Sequence, residues 1–163
     1  MASISDAPVQ EMLAGRYIAS LATENPDGSI HMVAVWYWSD GRDVYVATAG
    51  QSHKAKNLQR SPRVSLMIDS RDRTAQRGVS LTGTAQMLTG AAASAWNAKV
   101  HEKYLSAAAL ADSRVGPVFA KWDDIAIKIV PGAVIAWDMG ETDQQAFGGA
   151  LRDNPEYLLP IEG

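Results

Sequence analysis

The sequence predicts a mainly β fold, an antiparallel and closed or partly closed barrel with flanking helices, in a single domain over residues 1–163. Short apolar segments with period-two alternation recur six or seven times, against two or three stretches with helical spacing. Tight-turn signals, Asn25-Pro26-Asp27-Gly28 and Asp40-Gly41, join the first of these segments as hairpins. The strand-helix alternation that an open parallel sheet requires is missing.

Taken in order, Pro8–Ala14 reads as a short helix, with Ser5 or Asp6 as cap and Gly15 as stop, so that about residues 1–15 form an N-terminal helical segment. Tyr17–Thr23 opens the strand series, followed by Ile30–Trp38 and Val44–Thr48. Ala49-Gly50 breaks the third strand, Ser52 caps a helix running to about Arg60, and Pro62 ends it. Arg63–Asp69 and Val79–Leu88 are strands around a polar loop at Ser70–Gln76, and Gly83 marks a bulge or a point of close approach. Gly90–Tyr104 reads as a helix, followed by helical pieces around Ala107–Leu110 and Val115–Lys121. Asp124–Val130 and Ala133–Trp137 are expected as two last strands separated by a turn at Pro131-Gly132. About residues 139–163, with their Gly and Pro, are expected to be an irregular C-terminal extension.

Composition excludes several classes of function. There is no cysteine, hence no disulfide scaffold, thiolate metal site or cysteine nucleophile. Apolar runs such as Met32–Trp38 fall short of the ~20 residues of a membrane helix, and Met1–Gln10 lacks the basic character of a leader, which makes the cytoplasm the expected location and a membrane partner unexpected. His31, His53 and His101 follow no metal-ligand spacing, so no metal is expected. Neither GxSxG nor GxGxxG stands where hydrolase or dinucleotide chemistry needs it. Net charge is −3, yet Val44–Ile68 carries Lys54, Lys56, Arg60 and Arg63 with no acid. A basic segment on an acidic chain suits one small anion rather than nucleic acid, and Gln51–Arg63 has no aromatic residue to stack on a base.

The informative stretch is Thr48-Ala49-Gly50-Gln51-Ser52-His53-Lys54-Ala55-Lys56-Asn57-Leu58. It leads a strand into a helix whose first turn exposes unpaired N–H groups and the positive end of the dipole. His53 and Lys54 oppose that dipole unless a phosphate or carboxylate sits between them, which makes the junction a candidate anion site. In the preceding strand, alternation puts His31, Val33, Val35 and Tyr37 on one face and Met32, Ala34, Trp36 and Trp38 on the other.

These segments, in this order, resemble the pyridoxamine 5′-phosphate oxidase-like superfamily of flavin- or deazaflavin-binding split barrels. The resemblance rests on Gly28–Trp36, Val44–Thr48, Ser52–Leu58, Ser61-Pro62-Arg63-Val64, Gly78–Gly83 and Ile135–Met139, and spans about Gly15 to Gly140. It is to small members that use either FMN or the deazaflavin coenzyme F420. It implies that Ser52, His53 and Lys54 hold the cofactor phosphate, that Thr48 lies beside the ring or ribityl chain, and that His31, Val33, Val35 and Trp36 lie along the ring. Gly78 and Trp137 match ring-contacting positions, Trp137 being supplied by the partner of a homodimer with the cofactor groove at its interface. His53 stands where vitamin-processing relatives have Arg, and Trp36 where they have Lys; their C-terminal Arg-containing substrate motif has no counterpart. The resemblance therefore implies a flavin- or deazaflavin-dependent oxidoreductase passing hydride to a small conjugated substrate other than pyridoxamine phosphate, with a non-catalytic cofactor carrier or haem binder as the alternative. His31 and Tyr37 are both open as proton donors.

Overall fold

A computed structural model describes residues 1–73 and 76–160. In chain order the elements are α1 (Ala7–Ala14), β1 (Ala19–Glu24), β2 (Ile30–Val35), β3 (Trp38–Ser39), β4 (Val44–Thr48), α2 (His53–Arg60), β5 (Arg63–Asp69) and β6 (Arg77–Leu88). They continue with α3 (Gly90–Tyr104), α4 (Ala107–Ala111), α5 (Gly116–Trp122), β7 (Ile125–Asp138), α6 (Met139–Phe147) and α7 (Ala150–Asp153), then a 3₁₀ turn at Pro155–Tyr157. Of the predicted loop Ser70–Gln76, Thr74 and Ala75 lie outside the described residues.

The strands form one antiparallel sheet in the order β2-β1-β5-β6-β7-β4-β3. β2 and β3 therefore lie on opposite edges, although only Trp36 and Tyr37 separate them in sequence. Three Cα steps of ~3.8 Å hold the two edges within about 11 Å of each other. The sheet must curl until its edges nearly meet, and the result is a barrel with a seam. Its inner face carries the core: Leu21, Val46, Leu66, Ile68, Val79, Leu81, Ile127 and Ile129 are all essentially sealed from solvent. Alternation is clean where a strand has one wet side, as in Arg63–Asp69, where Val64, Leu66 and Ile68 are buried and Arg63, Ser65 and Met67 exposed.

Three expectations are corrected. Ile30–Trp38 is two strands rather than one, because the chain leaves β2 at Val35 to cross the seam. The last two strands are one continuous β7, paired with β6 along its length. Pro131-Gly132 does not reverse the chain: Thr82 pairs with Ala133 and Gly83 with Pro131, so Gly132 is the extra residue of a bulge, a place where a proline without an N–H is tolerated. A Cβ on Gly83 would come within 2.2 Å of the Val130 carbonyl oxygen, which explains the glycine on the opposing strand. The tail beyond residue 138, expected as irregular, folds into α6 and α7. One presumed breaker serves as a cap, Gly148 taking the left-handed conformation that ends α6, while Asp138 accepts from the Gly140 N–H and buried Asp143 accepts from the N–H groups of Leu151 and Arg152 in α7.

α1 packs Val9, Met12 and Leu13 into the core, and its last turn holds no basic residue to offset the carbonyl end of its dipole. Two side chains from elsewhere take that role. The Tyr37 hydroxyl shares its proton between the carbonyls of Met12 (2.7 Å) and Gly15 (2.9 Å), and Lys103 of α3 donates to the Leu13 carbonyl at 3.1 Å. Lys103 lies 3.7 Å above the Tyr37 ring. Tyr37, fully buried, has its hydroxyl pushed far above the ordinary tyrosine range by desolvation, so it is a structural donor removed from any solvent-facing site. Tyr37→Phe should lower unfolding free energy by about 1–2 kcal/mol in urea titrations, the cost of leaving buried carbonyls without their donor. The same substitution should leave anion binding at the α2 end unchanged.

Candidate functional site

The anion-site residues come together where β4 enters α2. Thr48, the last residue of β4, is buried, and its Oγ1 lies 3.2 Å from the Ser52 Oγ. Ser52 caps α2, its Oγ accepting from the Ala55 N–H at 3.4 Å. His53 and Lys54 occupy the first turn, which carries no acid. Burial pushes Lys54 below the ordinary lysine range, and the carboxylate of Asp123 opposes that shift. The His31 ring, on the inward side of β2, stacks on the His53 ring with centroids 4.8 Å apart and planes 18° from parallel. Two stacked imidazoles, a hydroxyl and the open N–H groups of a helix thus lie at one turn, and Lys54 belongs to the same turn with Asp123 acting on its ammonium. Lys54 brings positive charge to this turn and a protonated ring would add to it, an arrangement suited to a phosphate or carboxylate.

Residues that the sequence did not single out hold this end in place. Asn57, buried on α2, donates to Thr23 Oγ1 (3.1 Å) and to Asn25 Oδ1 (2.8 Å), and Arg60 donates to the carbonyls of Glu24 and Asn25. Both tie the helix to the β1–β2 turn. Asp124 accepts the Gly50 N–H at 2.6 Å and so fixes the loop that leads into α2. Asp123-Asp124 looks in sequence like an ordinary turn before a strand, and no spacing signal joins it to a loop 74 residues earlier. Asn57 carries a weak signal: it is a polar residue at a helix position flanked by buried Ala55 and Leu58.

The remaining predicted residues divide into three groups. Val33 packs at the margin of the core and Val35 is within it, 8 % exposed. Trp36 sits between aromatic rings of the helical segment, 5.0 Å from Tyr104 and nearly parallel to it, and 5.5 Å from Phe119. Gly78 and Trp137 face each other across β6 and β7. A Cβ on Gly78 would fall within 2.5 Å of the Trp137 ring, so the indole lies flat on bare backbone, with about a third of its surface open. This pair lies at the other end of β7 from the anion site: Thr48 pairs with Ile125 at the start of the strand, and Trp137 is twelve residues on.

Two further features lie beside these groups. Among the described residues β2 has a neighbouring strand on one edge only, leaving backbone donors and acceptors on the other edge that no described strand pairs. The outer face of the sheet exposes several large apolar side chains: Met67 and Ile135 stand in one row with Ala34, Ser20 and Ser80 across five strands, beside exposed Met32 and Trp137. Among the described residues no three His, Asp or Glu side chains gather as metal ligands, and no helix is long and apolar enough to cross a membrane.

Among solved structures, a conserved hypothetical protein from Mycobacterium tuberculosis matches all of this chain and 92 % of its own, with a TM-score of 0.71 and 25 % identity. An F420 reductase matches 77 % of this chain and 94 % of its own (TM-score 0.62, 20 % identity). The haem storage protein of Vibrio cholerae matches 80 % and 93 % (TM-score 0.62, 15 % identity). These likenesses establish the fold as the split barrel. No curated protein matches the chain. The family model described as pyridoxamine 5′-phosphate oxidase matches residues 5–128, from α1 through the first residues of β7. That span contains every residue of the anion end, and on it the chain belongs to the pyridoxamine 5′-phosphate oxidase family, whose split barrels include flavin- and deazaflavin-binding proteins.

Proposed function

We propose that this protein is an oxidoreductase that works as a homodimer with FMN or a deazaflavin bound in a groove between the two copies, and that it reduces a small, planar, conjugated substrate. The observation that carries the reading is the cationic junction of β4 and α2, with its stacked imidazoles and half-buried ammonium. A phosphate there would be held by Lys54, by Ser52 and by the first N–H groups of α2, with His53 adding charge when protonated. The unpaired edge of β2 runs from this point and offers alternating amide donors and acceptors, which suits the polar rim of a flavin-type ring. Val33 would exclude water beside it. When bound, such a cofactor supplies the hydride, and the chain's task is to orient it and keep one ring face open. His31, half-buried at the ring end of the anion site, is the residue placed to hold or move a proton there, since Tyr37 is committed to the core.

The strand register supports the dimer. The two groups of residues that the family resemblance assigns to one cofactor belong to opposite ends of β7. A second copy that brings its Gly78–Trp137 end to the α2 end of the first completes the site, and a two-fold axis does so twice. The apolar row on the outer sheet face, centred on Met67 and Ile135, provides a surface for that contact. A haem-binding reading has one observation in its favour, the adjacent His31 and His53 imidazoles; a Soret band on adding haemin, with no flavin or deazaflavin uptake, would decide for it.

Fluorescence titration with each cofactor tests the main reading. Lys54→Ala should weaken binding about tenfold or more, equivalent to ~1.4 kcal/mol, with the melting temperature retained; unchanged affinity removes the phosphate assignment. Met32→Lys, which puts a charge into the outer apolar face, should convert a dimer to a monomer in light scattering and abolish cofactor uptake together with it. A variant that becomes monomeric yet binds normally would contradict the shared groove.

A further inference from the structure

The ladder between β4 and β7 ends where Thr48 pairs with Ile125, and the chain then has to turn before α2 can start. That turn, Ala49 to Ser52, is closed by the Ser52 N–H donating to the Ala49 carbonyl at 3.0 Å. In the first turn of α2 the Ala55 N–H goes to Ser52 Oγ and the Lys56 N–H to the Ser52 carbonyl. Among the described residues, the donors left to an anion are therefore the N–H groups of His53 and Lys54. Their aim depends on the turn that precedes them. One contact ties that turn to another part of the chain: the Gly50 N–H donates to Asp124 Oδ1 at 2.6 Å.

Asp124 is itself held from α3. Buried Asn97 donates to the carbonyls of Asp123 (2.7 Å) and Ile125 (3.0 Å), the residues on either side of it. One helical turn further on, buried His101 places Nε2 2.7 Å from the Asp123 carboxylate. With both neighbours gripped, the exposed Asp124 side chain reaches Gly50 from a fixed base. Charge gives no reason for an acid at this place. A carboxylate beside an anion site repels the anion and occupies a donor that the anion could have used. What Asp124 adds to the site is geometry.

We propose that Asp124 is a positioning residue for the phosphate: by holding the Gly50 N–H it sets the turn that aims the His53 and Lys54 N–H groups. The inference rests on the phosphate reading of this junction, and it predicts an effect opposite in sign to simple charge removal. Deleting a nearby negative charge strengthens an anion site, whereas a turn that has lost its tie misaims its donors, and hydrogen bonds weaken steeply with angle.

The experiment is a fluorescence titration of the full chain with each chromophore in its phosphate-bearing and phosphate-free form: FMN against riboflavin, and F420 against its phosphate-free deazaflavin. The unaltered protein should prefer the phosphate-bearing member of one pair. Asp124→Ala should cut that preference about tenfold, with the phosphate-free form bound as before and the melting temperature retained, since the side chain is exposed. Asp124→Asn, which keeps an oxygen for the Gly50 N–H and drops the charge, should bind the phosphate-bearing form at least as tightly as the unaltered protein. A preference that is unchanged or larger in Asp124→Ala overturns the proposal, as does an Asp124→Asn protein as weak as Asp124→Ala. If Lys54→Ala still loses the preference in that case, the phosphate reading stands without it. No preference for phosphate in the unaltered protein overturns both.

Discussion

Two residues carry the chain across the seam of the barrel, and most of the architecture depends on that short crossing. Because Trp36 and Tyr37 must link strands on opposite edges of the sheet, the sheet cannot lie open, and its inward side chains have only each other to pack against. The two crossing residues are anchored differently. Tyr37 points inward and clamps the end of α1, and Trp36 lies on the other side between Tyr104 and Phe119. The seam is thus riveted from within by a hydroxyl and from without by stacked rings, which ties α1, α3 and α5 to one point.

The same closure creates the anion end. Curling leaves β2 as an edge with one neighbour and brings His31 against the first turn of α2. Placing cationic groups at the positive end of a helix dipole costs about 0.3–1 kcal/mol each when no anion is present. The fold tolerates this because the helix is held by interactions unrelated to its charge: the buried amide of Asn57, the Arg60 contacts to the β1–β2 turn, and Ala55 and Leu58 in the interior. A site that is electrostatically uncomfortable without a ligand is thereby kept in shape by its neighbours.

Local chemistry was readable in the sequence, and long-range chemistry was not. Turn residues, caps and alternation placed α2, β5 and α3 at their observed boundaries, and Ser52 is the cap its position predicted. The cationic cluster was legible because its members are adjacent in the chain. The pairing of His31 with His53 was not, since nothing in either segment states which face of β2 the helix would cover. Pro131-Gly132 misled because a turn and a bulge use the same residues and differ only in what the neighbouring strand does, here Gly83 leaving room for the Val130 carbonyl. The tail misled for a related reason: Gly148 ends one helix and Asp143 starts the next, but a capping role shows only when the partner N–H is known.

The flat seating of Trp137 on Gly78 bears on how tightly two copies could associate. A large aromatic on an exposed strand normally loses rotamer freedom when a partner covers it, and that loss subtracts from affinity. Here the ring rests against the bare backbone of Gly78, a contact that any other rotamer would give up. A partner covering that indole would meet a ring already seated against the sheet, and that seating lowers the rotamer freedom left to lose on contact.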